Sequence, residues 1–395
     1  MRPHARSFAS RAAVALTALG ALLLPSAVSP AEAKPINPRD PLTVMTRNVY
    51  LGADIQRPLR AVAGVSDPNL ALVRLANATA LTRAIVDRTD FPRRSQLLAG
   101  EIADTRPDLV ALQEVALWRR GPLELDPARI AVPNAQTVDY DFLRILLEDL
   151  ADEGLDYTAV RVQQESDVEA PAFTGAPPAI ADARDVRLTM RDVVLMRNRP
   201  GLTLTGTGGG NYADELVVPL AGKGMAFTRG FAWADVKVGA KKVRFINTHL
   251  EAFGSDHALA QAAELLSGPA ARTGTTTIIA CDCNSDPLDS RPSNGVEHRA
   301  PYDRIVADGF ADQWLQWRPA AEGWTSGLSE RVDDATPAGF DHRIDLIFAR
   351  TPSGKPLAVT DGQVTGTRPE DRDPVSGLWP SDHGGVVLTL SGKGS

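Results

Sequence analysis

Cysteine is almost missing, with two in 395 residues. A disulfide-stapled scaffold is therefore excluded, and folding must rest on a hydrophobic core. Cys281 and Cys283 stand two apart on a strand-like segment, with Cα atoms near the ~7 Å limit for bridging. We expect buried thiols there, neither a disulfide nor a metal site. Basic charge is also short: 42 Lys+Arg face 49 Asp+Glu, a net −7. That balance disfavours a protein that grips nucleic acid through a broad cationic face, although a nuclease using a few local cations and a metal stays possible. No stripe of basic residues interleaved with aromatics occurs. Long apolar runs are lacking too. Ala12–Leu24 spans 13 residues, short of the 18 or more that a spanning helix needs, and no later stretch reaches that length. What is present is 43% hydrophobic residues, enough for a large core and too many for wholesale disorder.

The N-terminus reads as an address. Arg2, Arg6 and Arg11 precede the apolar run, and Ala31-Glu32-Ala33 offers an A-x-A cleavage site ahead of Lys34. This predicts a signal peptide over 1–33, a Pro-rich leader over 34–40 and a secreted, extracellular product. Removing 1–33 leaves 39 cations against 48 anions, a net −9.

Helical and strand-like segments then alternate with no linker, which predicts one domain over 41–392. Leu42–Val49 alternates as a first strand, residues 54–103 are mainly helical, and Leu109–Gln113 is a short apolar strand. Residues 119–138 lack periodicity and predict a surface loop. Phe142, Ile145, Leu146 and Leu150 mark a helix stopping at Gly154. Val186–Met196, Phe227–Val238, Lys242–Thr248, Thr276–Ala280, Arg343–Phe348 and Val386–Leu390 predict strands, with helices over Leu259–Leu266 and Tyr302–Ala307. The cluster Gly206–Gly210 follows no phosphate-loop pattern and predicts a polar connection.

Six apolar strands end in polar residues able to hold a metal or a phosphate: Asn48; Gln113-Glu114; Thr248-His249; Asp282 and Asn284; Asp345; and Ser381-Asp382-His383. One strand-end Asp or Asn is usually a turn former. Six in one chain are hard to obtain by chance.

In this order the six motifs resemble the endonuclease/exonuclease/phosphatase superfamily, which includes deoxyribonuclease, sphingomyelinase and inositol 5-phosphatase types. The likeness spans residues 43–390. It implies an α/β fold, a four-layer sandwich of two packed mixed sheets flanked by helices. Cys281-Asp282-Cys283-Asn284 stands where the family usually has Gly-Asp-Phe-Asn. The acid and the amide are kept, while the packing around them must differ.

Phosphoester hydrolysis at neutral pH needs an activated water, neutralised phosphoryl charge and help for the leaving group. Glu114 is a hard oxygen ligand suited to Mg²⁺ or Mn²⁺, and Asn48 can add a carbonyl oxygen. The resemblance implies Asp382 near the same metal. His383 is the expected general base, with Asp345 orienting its imidazole. Asp282 would orient or deprotonate water, and Asn284 and His249 would donate to the phosphate. The resemblance leaves open whether Asp282 or His383 is the base.

His257 and His298 read as surface residues and His342 as a rim residue. Arg187 and Arg191 share a strand face, either contacting phosphate or neutralised by Asp185 and Asp192. Trp314, Trp317 and Trp324 suit a base, a lipid interface or the core. Asn77-Ala78-Thr79 is a glycosylation sequon by rule. These readings predict a monomeric phosphodiesterase with no stable protein partner, acting on a phospholipid, a nucleic acid or a small phosphoester. A nuclease, a sphingomyelinase or phospholipase C-type enzyme and a phosphomonoesterase are the alternatives. A non-catalytic binding module would predict loss of Glu114, Asp282 or His383, and all three are present. No long apolar hairpin for bilayer insertion is evident.

Overall fold

The computed structural model describes residues 41–391 apart from 127, 128, 130, 131, 221, 222, 272 and 273. The expected signal segment 1–33, the leader 34–40 and residue 392 lie outside the described residues. Six strands build most of the first sheet: β1 (Leu42–Asn48), β2 (Leu109–Gln113), β3 (Leu117–Gly121), β4 (Thr137–Asp141), β5 (Tyr157–Ala176) and β6 (Ala179–Arg197). Next come β7 (Leu202–Asn211), a ribbon of β8 (Leu216–Leu220) and β9 (Lys223–Phe227) that joins neither main sheet, then β10 (Gly230–Val238), β11 (Lys241–His249) and β12 (Thr276–Asp282). The short β13 (Pro292–Ser293) and β14 (Val296–Glu297) pair with each other, followed by β15 (Ala311–Asp312), β16 (Asp345–Arg350), β17 (Ala358–Thr365) and β18 (Gly385–Ser391). The first sheet runs β17-β18-β1-β2-β6-β3-β4 with β5 also on β6, and the second runs β15-β16-β12-β11-β10-β7.

Period-2 alternation sorts the side chains into layers. Val44, Ala111, Val194 and Leu388 of the first sheet pack against Ala234, Phe245, Ala280 and Ile347 of the second. Met45, Val110, Leu112 and Leu195 point the other way, onto Val86, Leu98, Ile102, Phe142 and Leu146 of helices α2 (Pro68–Arg88), α3 (Phe91–Thr105) and α4 (Phe142–Asp152), which follow α1 (Arg57–Val62). On the far side Ile246, Ile279 and Phe348 meet Ala262, Leu265 and Ile305 of α5 (Ser255–Ser267) and α6 (Ala300–Ala307). Each central strand is covered on both faces, which is why it reads as a nearly unbroken apolar run. The architecture is the expected four-layer α/β sandwich. Both sheets are mixed: β1–β2 and β11–β12 are parallel, while β1–β18 and β12–β16 are antiparallel.

Several expectations need correction. Cys281 and Cys283 are bridged, with Cα atoms 5.1 Å apart. The strand ladder stops at Asp282 and Asn284 turns to a φ of 43°, so the chain curls after β12 and loses the extended spacing that argued against a bond. Gly206–Gly210 belongs to β7. A Cβ on Gly208 would stand 2.4 Å from the Trp233 ring, so the glycines let an aromatic lie flat on the sheet. Residues 119–138 are partly strand, since β3 and β4 pair across them. The 20-residue β5 and 19-residue β6 form one long hairpin that periodicity did not show whole. Its far end is held by Asn77 on α2, which donates to Gly175 O at 2.8 Å and accepts from Gly175 N at 3.1 Å. The sequon asparagine is thus a helix residue already committed at both ends.

Candidate active site

Strand register assembles the site. In the first sheet Asn48 pairs with Gln113 across parallel strands, leaving Glu114 just beyond. In the second, His249 pairs with Asp282 and Asp282 with Asp345, so three polar residues stand in a row at one edge. The loop Ser381-Asp382-His383 delivers the last pair where β18 begins. Ser381 Oγ donates to Asn48 O at 2.8 Å, and His383 N donates to Ser381 Oγ at 3.1 Å. Between the sheets, Gln113 Nε2 donates to Asn247 Oδ1 at 2.7 Å, and Asn247 donates to Leu112 O and Val193 O at 2.9 Å each. This fixes one sheet edge against the other. Tyr50, Glu114 and Asn284 have φ of 61°, 60° and 43°, sparsely populated for side-chain-bearing residues and held here by neighbouring contacts.

His383 Nδ1 lies 2.8 Å from Asp345 Oδ2 and 3.8 Å from Asp282 Oδ2. Burial alone would lower its basicity, but Asp345, Asp282 and Asp382 together hold the imidazole well above its ordinary value. Asp282 is buried. It accepts from Asn48 Nδ2 at 3.0 Å and from Asn284 N at 3.1 Å. Burial pushes its carboxyl up to about 7; His383 opposes this and Asp345 adds to it.

His249 behaves differently. Its Nδ1 stands 3.0 Å from Arg229 Nη1. Arginine only donates, so Nδ1 is the acceptor and the ring proton sits on Nε2, 3.4 Å from Asp282 Oδ2. Burial, Arg229 and His383 keep this ring well below its ordinary value, so it is a neutral donor. Asn48 Oδ1 accepts from Tyr50 N at 2.8 Å and Asn284 Nδ2 donates to Leu250 O at 2.9 Å. Each keeps one further lone pair or proton for a ligand.

Glu114 is half-buried, with Oε2 accepting from Leu51 N at 2.8 Å. Asp382 faces the same space, and burial beside Glu114 pushes its carboxyl up to about 6. Glu114, His249, Asp282, Asn284, Asp382 and His383 line one cleft of about 210 Å³, with Asn48 and Asp345 behind its floor. A larger recess, about 400 Å³, opens at the opposite strand ends among Lys241, Lys242 and Lys355, with no carboxylate among the described residues that line it. It is remote from this chemistry. The ligand atoms of Asp282, Asp345 and His383 fall within 4.8 Å of one another and could hold a metal ion. The Asp345–His383 hydrogen bond already accounts for two of those three. Glu114 and Asp382 are the hard oxygens that remain.

Other residues of this region carried no motif. Arg47, fully buried, donates to His383 O and pairs with Glu101 at 2.7 Å. Arg94, also buried, reaches Val49 O and Pro380 O at 2.8 Å and Tyr50 O at 3.0 Å. The two arginines lock the loop after β1 to the loop before β18. Arg229 borders Glu251 at 3.4 Å. Behind it Glu165 and Asp192 are buried; burial raises Glu165 to about 7 against the pull of Arg229, and burial beside Glu165 raises Asp192. Burial would lower Arg229, but Glu251, Glu165, Glu114 and Asp192 keep it raised and charged. An Arg followed by Gly at a strand start gave no warning of this.

The remaining candidates fall outside the cleft. Arg187 is 2.5 Å from Asp167, and Arg191 is 2.6 Å from Asp141. Both are neutralised on the surface, by partners other than Asp185 and Asp192. His257 pairs with Asp214 at 2.6 Å, His298 lies 3.6 Å from Asp289, and His342 bonds Asp341 and Arg291. Trp314 is buried, with Nε1 donating to Ala321 O at 3.0 Å, and Trp317 packs beside it. Trp324 is 39% exposed. It precedes Thr325, whose Oγ1 accepts from Asp345 N at 3.2 Å. Among the described residues no helix is long and apolar enough to cross a membrane.

No family model matches the chain, and no curated protein matches it. Solved structures do. An endonuclease/exonuclease/phosphatase from Beutenbergia cavernae is 23% identical, covering 89% of this chain and 72% of its own, with a TM-score of 0.47. A family protein of that description from Bacteroides thetaiotaomicron is 16% identical over 89% and 98%, with a TM-score of 0.49. The mannosyl-6-phosphatase Bt3783 of the same organism is 16% identical over 88% and 99%, with a TM-score of 0.46.

Proposed function

We propose that this chain is a divalent-cation-dependent phosphoester hydrolase, and within that class a secreted phosphodiesterase. The observation that carries the proposal is a single cleft holding the Asp345–His383 pair, Asp282 beside it and the carboxylates Glu114 and Asp382. The donor set fits Mg²⁺ or Mn²⁺: Glu114 and Asp382 are hard oxygens, and burial, with Glu114 adding to it, raises the Asp382 carboxyl to about 6, a cost that a bound cation relieves. Glu114 and Asp382 would hold the ion, with Asn48 Oδ1 adjoining. When bound, it would neutralise phosphoryl charge and polarise the ester.

The side chains divide the proton work. Asp282, held near 7, takes a proton from the attacking water as oxygen bonds to phosphorus. His383 begins charged because of its three carboxyl neighbours, so it gives its proton to the departing ester oxygen as the P–O bond breaks. The starting charge of His383 therefore favours Asp282 as the base. Nε2–H of His249 donates to a phosphoryl oxygen, with Arg229 keeping that ring neutral and turned. The N-terminal pattern supports secretion, and so does a disulfide, which persists in oxidising compartments.

A hydrolysis panel tests the proposal: plasmid DNA, RNA, sphingomyelin, phosphatidylcholine, inositol phosphates and a sugar phosphate, each with Mg²⁺, Mn²⁺ or EDTA. We expect cation-dependent release from a diester. Inertness toward every phosphoester with either cation overturns the proposal, and turnover of monoesters alone overturns its diesterase part.

A further inference from the structure

Beside the catalytic groups, and with Asp54, Glu165, Ser166 and Thr228, the same cleft carries an apolar wall. Val168 and Leu188 are cross-strand partners in β5 and β6, and Met190 follows two residues on, so the three share one sheet face. Phe227, where the β8–β9 ribbon ends, meets Phe253 edge-on with ring centroids 6.4 Å apart. Ile55 joins them, and all six residues line the same cleft as His249, Asp282 and His383. Leu188, Met190 and Phe227 are each 4–6% exposed, so this wall is formed by packed side chains that hold their shape.

Charge narrows the occupant further. Among the described residues lining the cleft, Arg229 is the one arginine and there is no lysine. Arg229 is already engaged by His249 at 3.0 Å and Glu251 at 3.4 Å. Asp54, Glu114, Glu165, Asp282 and Asp382 line the same space. One phosphate held by a cation fits such a wall. A second or third phosphate, or a polar sugar reaching over Phe227 and Met190, would meet carboxylates or lose its hydration without replacement.

Resting on the hydrolase proposal above, we infer that the apolar wall of the cleft binds an apolar ester group of the substrate, so that the substrate is a phosphodiester with a single phosphate and an aryl or alkyl substituent. Ile55, Met190, Phe227 and Phe253 then determine specificity by removing that group from water while the phosphate lies beside His249 and Asp282.

Three chromogenic diesters sharing one leaving group test this: the 4-nitrophenyl phosphates of methanol, phenol and thymidine (through its 5′ oxygen), assayed with Mn²⁺ on the full chain. We expect kcat/KM for the phenyl ester to exceed that of the methyl ester by at least about tenfold, the scale of hydrophobic-pocket discrimination, and to exceed the thymidine ester. In Phe253→Ala the phenyl-to-methyl ratio should fall severalfold, mainly through KM. The wild-type ratio is informative even if that variant folds poorly. A phenyl-to-methyl ratio near one, or a preference for the thymidine ester, overturns the inference and leaves the hydrolase proposal standing. Failure of all three to react, in a preparation that turns over another phosphoester, overturns the inference and the diesterase part of that proposal.

Discussion

Among individual residues, the two cleft histidines are the sharpest contrast. His383 sits among three carboxyls and is raised, whereas His249 sits against an arginine and is lowered. The same kind of ring is set to opposite charge by the groups packed against it. His383→Ala should cut kcat by at least about a thousandfold, in the upper range for general acid–base groups, with circular dichroism unchanged. Asp282→Asn should do the same. The pH profile carries the sign. Asp282 works ionised, so activity rises with pH through about 7, and His383 works protonated, so activity falls once pH passes its raised value. A profile that instead declines from pH 6 to 8 would contradict that division of roles.

Cation binding follows the same sign. Asp382, at about 6, must lose its proton to bind a cation. Calorimetric titration with Mn²⁺ should therefore show weaker binding at pH 5.5 than at pH 7.5, by roughly the fourfold or more expected for one site of that acidity. Glu114→Gln should weaken binding at both pH values.

At the scale of elements, strand register, parallel and antiparallel, does much of the assembly, because it turns residues distant in sequence into lateral neighbours. This part was readable in advance. Apolar strands with polar tips marked Asn48, Glu114, His249, Asp282, Asp345, Asp382 and His383, and the resemblance those motifs carry implied the layers. What could not be read depends on geometry beyond the strand repeat. The Cys281–Cys283 bridge depends on where a ladder stops, the glycines of β7 on a tryptophan in the next strand, and the length of β5–β6 on pairing that charged residues hide. Buried Arg47, Arg94 and Arg229 resemble surface arginines in sequence, since only their tertiary partners set them apart.

Two element-scale outcomes follow. Gly208→Val should destabilise by about 1–3 kcal/mol through overpacking against Trp233, measured by urea unfolding. The disulfide closes a very short loop, so reducing it should cost only about 1.5 kcal/mol on the chain-entropy account. A much larger loss would mean that the bridge supports the Asp282–Asn284 curl by direct strain relief.

At the scale of the whole molecule, the site exists only because both sheet edges and the C-terminal loop meet. Arg47 and Arg94 tie the loop after β1 to the segment around Pro380 and His383, more than 280 residues away in sequence. The scarcity of cations fits the same picture. Acidic groups concentrate where a metal would sit, and the described residues of the cleft include one arginine, already engaged, so negative charge is poor grounds for excluding a phosphate substrate and better grounds for excluding a polyanion.

The central claim is cation-dependent phosphoester hydrolysis at this cleft. Its most direct test is release of 4-nitrophenol from a 4-nitrophenyl phosphodiester by EDTA-treated protein, before and after adding Mn²⁺, for the natural chain and His383→Ala side by side. The account predicts no release in EDTA, release on adding Mn²⁺, and none from His383→Ala under either condition. Undiminished release in EDTA, or equal rates from the two proteins, would contradict it.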